Sequence, residues 1–260
     1  MNESRRTSED GDRTFPQVSI ILPCFNEHRV LEPSVQRIRD VLDSSQFPYE
    51  LIYIDDGSVD DTPEIIKELV SQRPNERTFF HSRNEGRGKA VADGIRSAAG
   101  DVVGFIDVDL EIDALYIPAL ALEIVHGADI AVARRVYQFK WSSVPRQMLS
   151  RIYVRLLQFL LKVSLSDTEA GCKFFNRAAI LPVLGEVRDG RWFWDTEIMV
   201  RSYYKGYRIK EIPALYVRKP ETGTTVKVWS DGLDYLKNLL VFSREVRALI
   251  MKKSAGLAPE

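Results

Sequence analysis

Residues 101–109 read Asp-Val-Val-Gly-Phe-Ile-Asp-Val-Asp (DVVGFIDVD), and Leu110 and Glu111 follow. The apolar run reads as a buried strand. It ends in carboxylates at every second position. Side chains two apart in an extended chain share a face, so Asp107 and Asp109 converge if the extended geometry outlasts the sheet edge. Glu111 keeps that parity only if the chain stays extended past Leu110.

Working outward toward the N-terminus, the pattern recurs. A strand VSIILP starts at Val18, a helical stretch covers about 30–45, and a second strand ELIYIDDG ends in a turn. A helix follows Asp60-Asp61-Thr62-Pro63, where Asp61 or Thr62 can cap and Pro63 suits the first turn. A weak strand near Thr78–His81 and a helix over 88–99 complete the approach to DVVGFIDVD. Strands alternating with helices predict βαβ units, an α/β fold and a mostly parallel sheet. Ligands of such sheets lie outside the carboxyl ends of the strands. Three acidic strand exits, Pro23–Glu27, Asp55–Ser58 and Asp107–Asp109, therefore face one crevice.

Beyond about 145 the alternation loosens. Residues 146–163 predict an amphipathic helix with Leu149, Ile152, Leu156, Phe159 and Val163 on its apolar side and Arg151, Arg155, Gln158 and Lys162 on another. SDTEAGCKFFNR at 166–177 is a loop entering a short strand. Residues 191–206 predict a loop and helix, RIKEIPALYV a strand, KPETGTT a polar loop, and about Ser230–Met251 a last helix. The expected organisation is a disordered leader at 1–16, one domain over 17–229, an amphipathic helix over 230–251 and a flexible tail at 252–260.

At 260 residues and 45% hydrophobic content the chain can bury a sizeable core. Its 36 basic and 37 acidic residues leave a net charge of -1, so no global field advertises nucleic acid. Two cysteines, Cys24 and Cys172, make neither a disulfide framework nor a zinc spacing, which suits a reducing compartment. The polar leader lacks the apolar core of a signal peptide. No apolar run reaches the roughly 18–20 residues of a membrane span. The expectation is a cytoplasmic protein, at most peripheral on the inner face of a membrane.

Paired carboxylates at Asp107 and Asp109 suit a hard divalent cation, Mg2+ or Mn2+, that keeps waters and also holds a substrate phosphate. Asp55 and Asp56 can accept hydrogen bonds from a ribose or a base N–H, with Glu27 sharing that work. Asn84–Lys89 (NEGRGK) is not a P-loop, since Ala90 stands where Ser or Thr is required. No GxGxxG follows the first strand, which counts against a dinucleotide dehydrogenase. Gly86 and Gly88 permit a tight turn into a helix, with Lys89 as a lesser phosphate candidate.

The ordered set Pro23-x-Phe25-Asn26-Glu27, Asp55-Asp56-Gly57-Ser58-x-Asp60, Asn84-x-Gly86-x-Gly88-Lys89-Ala90 and Asp107-Val108-Asp109-Leu110 resembles the inverting family-two glycosyltransferases of GT-A fold. Within them it looks most like the dolichol- or polyprenyl-phosphate sugar synthases. The likeness continues through Asp167-x-x-Ala170-Gly171-Cys172-Lys173-Phe174-Phe175, Phe193-Trp194-Asp195-Thr196-Glu197, Gly206-Tyr207-Arg208-Ile209-x-Glu211-Ile212-Pro213 and Lys227. The resemblance implies a Rossmann-like sheet with Pro23, Phe25, Glu27, Ile54 and Asp56 around the nucleoside of a nucleotide sugar. It implies Asp107 and Asp109 at the metal and diphosphate, Val108 touching the donor through its backbone, and Arg134, Arg218 and Lys227 as phosphate-binding cations. The chain departs from the common pattern at Glu111, where Gln is usual, at Val226, where Ser is usual, and in a longer loop from Arg218 to Lys227.

An anionic phosphate acceptor is already a nucleophile, so inversion at the anomeric carbon would need charge stabilisation rather than a strong base. A hydroxyl acceptor would need a base, and Asp195 is the candidate, with Glu197 beside it. The preferred reading is hexose transfer to a polyprenyl phosphate. The alternatives are transfer to a hydroxyl of a saccharide or small metabolite, and non-catalytic nucleotide-sugar binding. The basic helix 146–163 reads either as an interfacial helix on anionic lipid or as core packing. The last helix, with Leu233, Leu236 and Leu240 beside Lys237, Arg244 and Arg247, carries the same choice.

Overall fold

The computed structural model describes residues 15–137, 154–219 and 228–254, with the side chains of the last helix described over 235–248. Most of the leader, the tail beyond 254, the first half of the 146–163 helix with Arg151, and Lys227 lie outside the described residues.

Seven strands form one sheet, in the order β3-β2-β1-β4-β6-β5-β7. They are β1 Val18–Cys24, β2 Tyr49–Asp55, β3 Glu76–Phe80, β4 Val102–Ile106, β5 Ile130–Tyr137, β6 Cys172–Asn176 and β7 Ile209–Tyr216. The pairs β1/β2, β1/β4, β2/β3 and β5/β7 are parallel. Strand β6 runs antiparallel to both its neighbours, β4 and β5. The helices are α1 Leu31–Asp43, α2 Thr62–Ser71, α3 Arg87–Ser97, α4 Ile117–Val125, α5 over 154–161, α6 Arg177–Leu184, α7 Trp194–Tyr204 and α8 Val228–Ser254. Strand β1 is buried at every position, as a central parallel strand covered on both faces must be. It lies where the strand order reverses, between β2 and β4, so the loops leaving β1 and β4 part and open a crevice.

Several expectations are corrected here. At the start of α2, Asp61 occupies the cap position but makes no side-chain cap bond. The buried Thr62 hydroxyl instead accepts the Glu27 N–H at 2.8 Å, tying the β1–α1 loop to α2. Strand β4 ends at Ile106. Residues 107–110 form a turn closed by the Leu110 N–H on the Asp107 carbonyl at 3.1 Å, with Leu110 at φ 48°. Val108 and Leu110 are nonetheless buried below the turn, so Asp107 and Asp109 still stand above it. Along α5, Leu157 and Leu161 face the core while Leu156 and Phe159 point outward, Phe159 being 77% exposed. On α8 the core-facing residues are Leu239, Phe242 and Val246, and Leu236 and Leu240 are exposed. Phe193 packs edge-on against Tyr235 and Phe242, docking α8 on the start of α7.

Below the crevice, Arg39 of α1 is buried against Glu76 of β3. Its Nε and Nη2 each reach a carboxylate oxygen at 2.8 Å, Nη1 donates to Gln72 Oε1, and Nη2 also donates to the Leu69 carbonyl. The Tyr53 hydroxyl donates to the same carboxylate at 2.6 Å. Cys24 and Cys172 are both buried free thiols, and burial pushes both thiols above their ordinary range.

Candidate active site

The loops after β1 and β2 are stitched together. Asn26, at φ 58°, donates its N–H to the Ser58 hydroxyl at 2.9 Å, and its side-chain carbonyl accepts the Val59 N–H at 2.9 Å. This brings Glu27 over the end of β1, facing the turn after β4. Burial first, then the charges of Asp109, Asp107 and Asp60, push the Glu27 carboxyl up to about 7. Asp107 is pushed up to about 6 by burial against the opposing pull of Arg87, with Asp109 adding to the rise. Asp109 is raised chiefly by burial, with the Glu111 N–H bond opposing. Glu27, Asp107 and Asp109 thus share one half-buried space and repel one another.

Within that space the Asp107–Asp109 pair has the donor chemistry for a divalent cation. Carboxylate oxygens are the hard ligands Mg2+ and Mn2+ take, and the mutual repulsion is what a cation would relieve. Among the described residues no group of three or more His, Cys, Asp or Glu is placed to hold a metal ion, so the two aspartates would share a cation with water and a bound phosphate. Metal binding requires these acids ionised. Affinity for Mn2+ should therefore rise as pH increases from 5 to 8, through the range set by Asp107 and Glu27, as a titration of Mn2+ binding at several pH values would read. Because both acids bind protons more tightly folded than unfolded, they lower metal-free stability as pH rises from their ordinary values to about 7. Added Mn2+ should offset that loss in a thermal melt.

Gly171 makes room for this arrangement. Its carbonyl accepts the Asp107 N–H at 2.8 Å, and a Cβ there would stand 2.2 Å from Asp107 Oδ2. Gly171→Ala should displace the carboxylate and lower kcat by about 10²-fold, the effect of an ångström-scale misplacement. Its Tm should change far less, and steady-state kinetics beside a melt would compare the two.

Glu111 is tied to β7, although its charge still adds to the rise of Asp109. The turn carries it away, its carboxylate accepts a short hydrogen bond from the Tyr216 hydroxyl, and its carbonyl accepts the Val217 N–H at 2.8 Å. It secures the end of β7. Asp56 is buried with its oxygens engaged, Oδ1 by His81 Nδ1 at 2.7 Å and the Glu85 N–H at 2.9 Å, Oδ2 by the Gly86 N–H at 2.8 Å. It anchors the loop leading to α3. Gly86 lies at φ 108° against the Gly190 carbonyl, where a Cβ would clash at 2.4 Å. Lys89 pairs with Asp93, within its own helix, rather than facing the crevice. Pro23 and Ile54 are register partners buried in the sheet, whereas Phe25 is half-buried at the loop.

Sequence reasoning passed over two cations that the structure puts at the centre. Arg87, inside NEGRGK, donates Nε to Asp107 Oδ1 at 2.8 Å and Nη1 to Asp195 Oδ2 at 2.5 Å. Lys173 donates to the other Asp195 oxygen at 2.5 Å. Asp195 is therefore buried with each oxygen taking a charge-assisted bond, so its carboxylate is held between two cations. In this arrangement Asp195 ties α7 to α3 and β6, where the sequence suggested a base for a hydroxyl acceptor. Glu197 likewise bonds the N–H groups of Arg188 and Asp189 and pairs with Arg201. Of the expected phosphate cations, Arg134 is partly exposed with only a 4.0 Å approach to Glu211, and Arg218 is exposed. The charges of Arg87 and of the neighbouring Lys219 act on Asp109.

Residues 19–182 match the family model described as glycosyl transferase family 2. The chain belongs to that family. Among curated relatives, the family 2 chain is 32% identical over 211 residues to glycosyltransferase AglD of Haloferax volcanii, covering 79% of this chain and 34% of that protein. It is 27% identical over 256 residues to the dolichyl-phosphate beta-glucosyltransferase of Saccharomyces cerevisiae, covering 90% and 75%. The chain thus spans about a third of the first relative's length and three quarters of the second's. Glucosyl-3-phosphoglycerate synthase of Mycobacterium tuberculosis, solved with uridine-diphosphate, superposes with a TM-score of 0.65 at 19% identity, covering 88% of this chain and 80% of that one. The same enzyme solved with Mn2+, uridine-diphosphate and glucosyl-3-phosphoglycerate gives a TM-score of 0.60 at 20% identity, covering 94% and 82%. These likenesses establish the GT-A-type α/β fold of this family 2 member.

Proposed function

We propose that the chain is a metal-dependent inverting glycosyltransferase that moves a hexose from a nucleotide sugar to a polyprenyl phosphate. The observation that carries the choice of acceptor is Asp195. With Arg87 and Lys173 on its two oxygens, the site's best-placed candidate for a base is held between two cations, an arrangement that favours an acceptor needing no base. An acceptor that arrives as a phosphate anion needs no base to become a nucleophile, whereas a hydroxyl does. The relative from S. cerevisiae, whose name specifies dolichyl phosphate, supports the same reading.

In this reading Phe25 and the stitched loops after β1 and β2 receive the nucleoside. Asp107 and Asp109 would hold the cation, which when bound supplies charge neutralisation at the donor diphosphate as it leaves. Arg134, Arg218 and Lys227 are the candidate cations for phosphate oxygens. The outward Leu156 and Phe159 of α5, flanked by exposed Arg155 and Lys162, support an interfacial helix on anionic lipid. Among the described residues no helix is long and apolar enough to cross a membrane. Phe159→Asp should weaken flotation with anionic vesicles, and unchanged flotation would assign α5 to packing alone.

The decisive experiment incubates the protein with Mn2+ or Mg2+, a panel of uridine- and guanosine-diphosphate sugars and a short-chain polyprenyl phosphate. A lipid-linked sugar with inverted anomeric configuration is expected, and excess chelator should suppress it. Transfer confined to hydroxyl acceptors would overturn the acceptor assignment.

A further inference from the structure

One guanidinium serves two carboxylates. Arg87 of α3 places Nε and Nη2 at 2.8 and 2.7 Å from the same oxygen of Asp107, and Nη1 at 2.5 Å from Asp195. Behind Asp195, Lys173 of β6 is 0% exposed and donates to Asp195 and to the Ala170 carbonyl at 2.7 Å. The Phe105 ring lies against both cations, with its centroid 4.9 Å from the Arg87 guanidinium and 5.2 Å from the Lys173 ammonium. The row Lys173, Asp195, Arg87, Asp107 alternates in sign and is assembled from four different segments of the chain. Buried charges must be compensated by neighbours. The position of Arg87 is therefore a balance between two anions, only one of which belongs to the acid cluster facing the crevice.

We infer that Lys173 and Asp195 are positioning residues that set how far Arg87 leans on Asp107, and through it the affinity of the Asp107–Asp109 pair for a divalent cation. The inference rests on the cation reading of that pair given above. Neutralising Asp195 leaves Arg87 one carboxylate, so the guanidinium settles on Asp107 and competes with the cation. Removing the Lys173 charge leaves Asp195 undercompensated, which draws Arg87 away from Asp107 and frees its oxygen. The two substitutions act on one arginine from opposite sides.

The test is Mn2+ binding followed by electron paramagnetic resonance on the folded full chain, without donor or acceptor. Asp195→Asn should weaken binding severalfold, Lys173→Met should tighten it, and Lys173→Arg should restore the wild-type value. In an Arg87→Gln background both shifts should collapse, because both run through that side chain; shifts that persist there would mean simple through-space charge and overturn the inference. Shifts of the same sign, or none, would also overturn it. Asp195→Asn is nearly isosteric and decides alone should Lys173→Met fail to fold. Wild-type protein that binds no Mn2+, or binds it equally well as Asp109→Asn, would overturn the cation reading itself, whereas normal wild-type binding with unresponsive Asp195 and Lys173 variants overturns only the positioning role.

Discussion

Asp109→Asn should lower sugar transfer by on the order of 10³-fold or more, the scale of losing a group that stabilises developing charge in a dry site, while the protein stays folded. Asp109 stands on a turn whose backbone is fixed by the Leu110 N–H bond to Asp107 and by its own Oδ1 accepting the Glu111 N–H at 3.0 Å. An asparagine keeps that acceptor, so the turn survives. What disappears is one negative charge in a cluster whose acids already repel each other, and the substitution should raise Tm slightly in metal-free buffer. A large activity loss with an equal or higher Tm separates function from fold. Retention of most activity would remove Asp109 from the cation site.

The largest effect on stability is expected far from the chemistry. Arg39→Met should destabilise the protein by about 3–5 kcal/mol, because it strands a buried carboxylate rather than merely deleting a contact. Glu76 is then left with the Tyr53 hydroxyl as its remaining donor from this network. For a chain of this size the change corresponds to a fall in Tm of about 10 °C. Adding Glu76→Gln should recover much of it, since the neutral amide still accepts from Tyr53. A double variant as unstable as the sum of the two singles would mean that packing, not stranded charge, dominates.

Much of this architecture can be read from period and punctuation. The apolar strands, the helices between them and the convergence of three strand exits follow from residue pattern, and the structure has each of them. The parity argument for Asp107 and Asp109 reached the right neighbours by the wrong geometry: Leu110 adopts a positive φ, a local conformation that alternation does not encode. On α5, Leu156, Leu157, Leu160 and Leu161 offer two overlapping apolar stripes, so periodicity could not choose which one the core would take. Arg87 and Lys173 escaped notice for another reason. Each looks like an ordinary charge in its own segment, and only long-range packing brings α3, β6 and α7 around Asp195. The signal for Lys173 was a cation in mid-strand between Cys172 and Phe174, which burial turns into an obligation to find an anion.

The antiparallel strand β6 also governs the order in which the molecule can be completed during synthesis. Residues 18–106 can lay down β1 to β4 as they emerge, yet β4 keeps an open edge until residues 172–176 arrive to cover it. The same five residues bring Lys173. A nascent chain released before that point exposes a bare strand edge, a template for misassembly, and lacks both Lys173 and Asp195. The β4 edge is thus covered before the buried cation meets its anion on α7, so chains truncated ahead of β6 should be lost to aggregation rather than persist as partly active enzyme.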